Sequence, residues 1–517
     1  MLGIALSLLV APWLLAPALP EPPPAAAIVA ELRHAAGHGN LKRWHGLHLV
    51  GTARTHGVDL DYQLYLAHGG RFHASSRGEL NETRGSDGAL FWIRDYSQTT
   101  RRLDLRDREV SLVTYSVLTG HWTHPDAPLD IALAPDQPDP KFVEFIVRPK
   151  NGVLKTTLKV ERLTGKVQRL SYVGRSGDVA WTYSEHKDIQ GVRLPMRWEM
   201  TSQGLTNSVR IREGKAVPRA ELPSFGYVYR PCAAASFDAA KPPALEVKRS
   251  RTGHLLVHPT VQGKDLGWFI LDSGAGMTVI DRAMADQMNL PAFGEINAVG
   301  VGGAVKTRMR KCEQLELGPL TLKNPVLLEL DLAAIGRAVG VPLAGIVGYQ
   351  IFQAGVVEID TTAPAVNLHD PTKFELTGDG RWQELFIDGN HPIVKGRIPP
   401  DEAGYFRLDT GAANTVSFSS PVVERLKLAD GKNQAAARIE GGVGGFQRSQ
   451  AGRLDWLELA GRRFEKPSVT FSLAKTGAFA DEHLMGNVGT GLLGRFIIVF
   501  DYGSQRVALQ RKPVAQR

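Results

Sequence analysis

"FILDSGAGMTV" (residues 269–279) runs an apolar strand into an acid followed by two turn-forming residues. An ionised carboxylate beside a core strand is costly unless something compensates it. Asp, Ser and Gly all favour turns, so Asp272 alone would signal no more than a strand ending at the surface. The stretch comes twice, however. "FRLDTGAANTV" occupies 406–416 and places Asp409 137 residues after Asp272. "GVGG" at 300–303 returns at 442–445, and "GIVGYQIFQAGVVEID" at 345–360 returns as "GNVGTGLLGRFIIVFD" at 486–501. Three motifs in one order, at nearly one offset, indicate two copies of a structural unit at about 247–370 and 380–511. From average usage, Asp-[Ser/Thr]-Gly arises by chance roughly once in a couple of thousand positions, so one copy would decide little. Two copies, each closing an apolar strand and each followed by Ala-x-x-Thr-Val, decide the fold.

These residues resemble the aspartic proteases, and each unit is similar to the retropepsin-like units of viral and bacterial proteins. The family pattern is an apolar strand, Asp-[Thr/Ser]-Gly-Ala, a Gly-rich flap hairpin, and then two apolar residues and Gly before a last strand. The first unit matches throughout, with Ile346-Val347-Gly348 late in it, whereas the second has Asn487-Val488-Gly489, with Asn in an apolar place. The resemblance covers about half of the chain. It implies a mainly β protein in which two tandem acid-protease β-barrel lobes form a pepsin-like pair within one monomeric chain. It further implies an endopeptidase acting on peptides or proteins, with no cofactor and no metal. Asp272 and Asp409 take the catalytic places. Gly274 and Gly411 let the backbone turn tightly behind them, and Ser273 and Thr410 brace the two loops across the lobe interface. Gly302, Gly303, Gly444 and Gly445 fall at the flap tips, where a substrate backbone can approach closely.

The chemistry explains the duplication. Two carboxylates a few ångströms apart cannot both ionise readily, so they share one proton. The charged member can take a proton from water while the protonated member polarises the substrate carbonyl. After Asp-[Ser/Thr]-Gly both units carry Ala (Ala275, Ala412), where pepsin-like enzymes commonly have a Ser whose hydroxyl can donate to the carboxylate. With that donor absent twice, the pair is expected to hold its proton to higher pH.

The remainder of the chain is read from texture. Residues 1–27, "MLGIALSLLVAPWLLAPALPEPPPAAA", have the apolar run and small-residue cleavage options of a signal peptide, which implies a periplasmic or secreted protein. Residues 28–230 alternate apolar and polar residues between Gly-containing turns, as an antiparallel β-rich accessory domain does, with a helix expected at 28–38. Within it, "VAWTYSEHKDIQGVRLPMRWEM" (179–200) resembles the strand-turn-strand pattern of bacterial lipoprotein-carrier and lipoprotein-sorting proteins, which implies contact with a lipid or lipoprotein. Residues 231–246, rich in Ala and Pro, read as a linker, so 243–517 is expected to be active alone.

Composition is globular, with 43% hydrophobic and 22% charged residues. The net charge of +8 is scattered, its densest clusters being "KRSR" (248–251) and "RMRK" (308–311), too short for a nucleic-acid stripe. Two cysteines, Cys232 and Cys312, permit at most one disulfide and lie in different regions. "HWTH" (121–124) has ligand types at close spacing, but no His-Glu-x-x-His, Cys cluster or Gly-x-Ser-x-Gly accompanies it. The functional alternatives to a peptidase are a non-catalytic cell-envelope protein that keeps the protease fold as scaffold, and a lipid or lipoprotein carrier.

Overall fold

The computed structural model describes residues 24–175, 177–301, 303–430, 437–442 and 445–512. The proposed signal peptide therefore lies almost wholly outside the described residues. The chain is mainly β, as the alternation predicts. Its first part builds one antiparallel sheet of 13 strands, from Thr100–Arg102 at one edge to Leu129–Leu133 at the other. Strand Val58–Ala67 shows how the sequence sets its faces. Val58, Leu60, Leu64 and Leu66 turn inward, while Asp59 and Asp61 face solvent. The inward face shares a core with helices Ala25–Ala35 and Leu105–Leu118, through Leu32, Leu112, Val113, Trp122 and Phe145.

The first helix begins three residues before its expected start, directly after Pro24, whose fixed φ suits a helix boundary. The second helix was not legible. Its sequence, "LRDREVSLVTYSVL", is rich in β-branched residues, and it is buried on several sides, so no clean amphipathic stripe marks it.

The two repeated units fold alike. In the first, strand Leu343–Val347 lies between Trp268–Leu271, which it pairs in parallel, and Val279–Asp281, which it pairs antiparallel. In the second, Gly486–Val488 lies in the same way between Glu402–Leu408 and Val416–Phe418. The Asp-containing loops thus leave the sheets at equivalent points. Each unit carries a hairpin after its Asp loop, Ala292–Gly300 with Gly303–Lys311 and Ala437–Gly442 with Gly445–Arg453. The closing strands of the two units, Val356–Asp360 and Phe496–Asp501, pair antiparallel with each other and join the lobes in a shared five-stranded sheet.

Residues 231–246 are more than a linker. Ala235–Phe237 adds a strand to the first lobe by pairing with Leu320–Lys323, because its alternate side chains can pack on that sheet edge. The N-terminal domain also docks onto the lobes through polar groups. Arg101, 2% exposed, donates to Tyr349 Oη (2.9 Å), Asn390 Oδ1 (2.9 Å) and the Ile387 carbonyl (3.3 Å). Tyr349 in turn donates to Asp95 (2.8 Å). Cys232 and Cys312 are both free thiols.

Candidate active site

The two Asp-[Ser/Thr]-Gly loops meet at the lobe interface. Each strand ends with the Asp amide donating into the neighbouring strand, Asp272 to the Val347 carbonyl and Asp409 to that of Val488, both at 2.9 Å. The turn that follows is closed by Ala275 N–H to the Asp272 carbonyl (3.2 Å) and by Ala412 N–H to that of Asp409 (3.3 Å). Ser273 and Thr410, both buried, interlock across the interface. The Ser273 hydroxyl donates to the Leu408 carbonyl (2.9 Å) and accepts from Thr410 N–H (3.0 Å). The Thr410 hydroxyl donates to the Leu271 carbonyl (3.1 Å) and accepts from Ser273 N–H (2.9 Å). Four reciprocal bonds fix one loop against the other.

That brace sets the carboxyl groups face to face. Asp272 accepts from Gly274 N–H (2.7 Å), and its carboxyl is within hydrogen-bonding reach of Asp409. The glycines are needed for space. A Cβ on Gly411 would lie 2.3 Å from Asp272 Cγ, and one on Gly274 would lie 2.6 Å from Asp409 Cγ. Burial, and then the neighbouring Asp409 charge, hold the Asp272 carboxyl well above the usual carboxylate range, against the pull of the Gly274 and Gly411 amides.

Further groups close round the loops. Tyr502, fully buried, donates to the Ser273 carbonyl (3.1 Å). His254 Nε2 donates to the Gly411 carbonyl across the interface (2.9 Å). Tyr96 of the N-terminal domain donates to the Gly276 carbonyl (2.9 Å), and Asn390 donates to both Tyr96 Oη (2.9 Å) and that carbonyl (3.3 Å). None of these four side chains carries a local sequence signal.

Of the glycines expected at the hairpin tips, Gly303 and Gly445 are positive-φ residues at the tip pairs Gly300–Gly303 and Gly442–Gly445, with open space where a Cβ would stand. Gly302 and Gly444 lie outside the described residues. The first hairpin reaches across to the second lobe, where Ala478 N–H donates to the Gly300 carbonyl (3.2 Å).

The hydroxyl donor absent at Ala275 and Ala412 is replaced on one side by another group. Asn487 Nδ2 donates to Asp409 Oδ2 at 2.7 Å. The donor comes from a parallel neighbouring strand, not from the position after Asp-Thr-Gly. "HWTH" forms a turn at His121–Thr123, where His124 pairs with Asp126. Among the described residues no group of three His, Cys, Asp or Glu side chains is arranged to hold a metal.

Residues 257–351 match a family model described as aspartyl protease. The match spans the first lobe's Asp loop, hairpin and late Ile-Val-Gly motif. Together with the duplicated topology it gives the C-terminal half an aspartic-protease-like fold. No curated protein matches the chain. Among solved structures, an aspartic proteinase from Irpex lacteus aligns at 13% identity over 55% of this chain and 99% of its own, with a TM-score of 0.35. Basic 7S globulin from soybean aligns at 11% identity over 52% of this chain and 94% of its own, with a TM-score of 0.34. A DUF1329 family protein from Desulfovibrio piger aligns at 12% identity over 39% of this chain and 96% of its own, with a TM-score of 0.28. All three are distant.

Proposed function

We propose that the chain is an exported aspartic endopeptidase that hydrolyses peptide bonds in peptide or protein substrates, working as a monomer because one chain supplies both lobes. The observation that carries this reading is the facing pair Asp272 and Asp409, locked by the four cross-lobe bonds of Ser273 and Thr410. A purely structural lobe interface has no use for two apposed carboxyl groups, whose mutual repulsion costs stability. Hydrolysis through the pair balances without a cofactor. The ionised carboxylate takes a proton from water as the water oxygen attacks the carbonyl carbon, and the protonated partner gives its proton to the carbonyl oxygen. The resulting diol collapses as a proton passes to the amide nitrogen and the C–N bond breaks. The glycine turns and the cross-lobe brace hold both carboxyl groups in place before substrate arrives, which is the preorganisation that such a reaction needs.

The test is digestion of a peptide library by the wild-type chain and by Asp272→Asn. Cleavage that disappears in the variant supports the peptidase. A folded wild type that cleaves nothing at any pH from acid to neutral returns the protein to the scaffold reading. Binding of a fluorescent fatty acid would then favour the lipid carrier.

A further inference from the structure

The two lobes are built alike but differ in what stands beside each Asp. In the first lobe the cross-strand pair Ile270 and Ile346 flanks the strand end at Asp272. In the second lobe the same two places are held by Arg407 and Asn487, again a cross-strand pair. Arg407 sits on strand Glu402–Leu408, two residues before Asp409 in the loop that follows it. Its guanidinium feels the Asp409 charge, while Asn487 Nδ2 bonds the Asp409 carboxylate directly. The family pattern has an apolar residue where Asn487 stands.

We infer that Asn487 and Arg407 are positioning residues that place the single proton of the pair on Asp272 and keep Asp409 as the carboxylate that activates water. A neutral amide N–H and a nearby cation both favour the charged form of the group they face. An aliphatic pair offers neither, and it disfavours charge beside it. The Arg407 guanidinium, whose charge interacts with Asp409, favours the carboxylate and hence the Nδ2-inward orientation of Asn487. Tyr502 faces both carboxyl groups from the turn after the second lobe's closing strand, and His254 approaches from the first lobe through the Gly411 carbonyl and faces the Asp409 charge. Asp481, Asp388 and Arg175 reach Arg407 from surrounding elements. Ionised Asp272 and Asp409 raise each other's proton affinity equally, so that repulsion does not choose between them.

The proton placement rests on the peptidase reading only for its use in catalysis, and it can be measured without turnover. Aspartate carboxyl carbons are labelled with carbon-13 in the full chain, and the pair is titrated by NMR. The two signals are assigned by their loss in Asp272→Asn and Asp409→Asn. In the wild type, Asp409 titrates in the acid step of the pair and Asp272 in the alkaline step. Asn487→Ile copies the first lobe. It should raise the acid step by about one unit, because the singly charged pair loses its bond. It should leave the alkaline step nearly in place, because Asp409 is charged on both sides of that step. If Asn487→Ile does not fold, Asn487→Ser removes the reach and serves instead. The converse change, Ile346→Asn, should lower the acid step and spread the proton over both residues. An acid step unmoved by loss of Asn487, or a wild type in which Asp272 ionises first, overturns the inference. Absence of peptide cleavage in the wild type would overturn the peptidase reading and leave the titration standing.

Discussion

At the scale of single residues, the site depends on groups that act as a unit. Asp272→Asn and Asp409→Asn should each abolish peptide cleavage while leaving the chain folded, and the double variant should be scarcely worse than either. One proton shared by two carboxyls cannot be used by one of them alone. Single-turnover rates of the three variants check this, and substantial activity in either single variant would sink it. Thr410→Val keeps the side-chain shape but removes a hydroxyl that both donates and accepts across the interface. It strands the buried Ser273 N–H and should cost about 1–3 kcal/mol in urea unfolding, with a fall in kcat from a loosened pair. How far such detail is legible follows from where the partners lie. Asp272, Asp409 and their Gly and Ser/Thr neighbours could be read because the repeat prints them twice in contiguous motifs. Asn487 was visible as a departure from the pattern, but its bond to Asp409, 78 residues away, depends on the parallel pairing of two strands, which no local pattern announces.

At the scale of elements, the lobes were legible and the seam between the domains was not. Apolar strands, glycine-rich hairpins and a constant offset define the lobes in the sequence. The N-terminal contacts come from isolated residues such as Tyr96, in the turn before the edge strand Thr100–Arg102, and Arg101 within it, whose partners in the lobes are more than 100 residues away. Their consequence replaces the expectation that 243–517 is self-sufficient. Without the N-terminal domain the Gly276 carbonyl loses the Tyr96 hydroxyl, and Tyr349 loses both Arg101 and Asp95. At the Gly276 carbonyl, the loop that holds Asp272 then keeps only the longer Asn390 bond (3.3 Å). We expect the truncated chain to fall to about a tenth of wild-type kcat/KM, since loss of one or two hydrogen bonds that position a catalytic loop is worth about 1–3 kcal/mol. Tyr96→Phe in the full chain separates support from bulk. It should lower kcat by several-fold with little change in KM, whereas an unaltered kcat would show that the contact is packing alone.

At the scale of the whole molecule, the three units are joined along a seam of buried charge, and this makes assembly depend on pH. Arg175 pairs with Asp388 (2.6 Å) and Asp107 (3.1 Å), Arg106 with Asp481 (3.6 Å), and Arg101 lies 3.8 Å from Asp95. Asp107 and Asp481 are held below the usual range by their cationic and hydrogen-bonding neighbours despite burial, so the stability they contribute is lost only in strong acid. Asp104 behaves oppositely. It accepts from Ile387 N–H (3.1 Å) and Gln505 Nε2 (2.5 Å), yet burial outweighs Arg102 and these donors and pushes its carboxyl up to about 6. A carboxyl whose folded value lies above its unfolded value binds more protons when folded, so stability falls as pH rises between the two. The window runs from 3.8 to about 6, some two units, which amounts to about 3 kcal/mol. Asp104→Asn retains an acceptor for Ile387 and Gln505 but carries no charge. Its unfolding free energy relative to wild type should therefore climb by up to about 3 kcal/mol between pH 4 and pH 7, and level off above. Urea midpoints of the two proteins across that range measure the difference directly, with contributions from all other titrating groups cancelling. A difference that stays flat with pH would mean that Asp104 ionises at its ordinary value, and that the seam is open to water there.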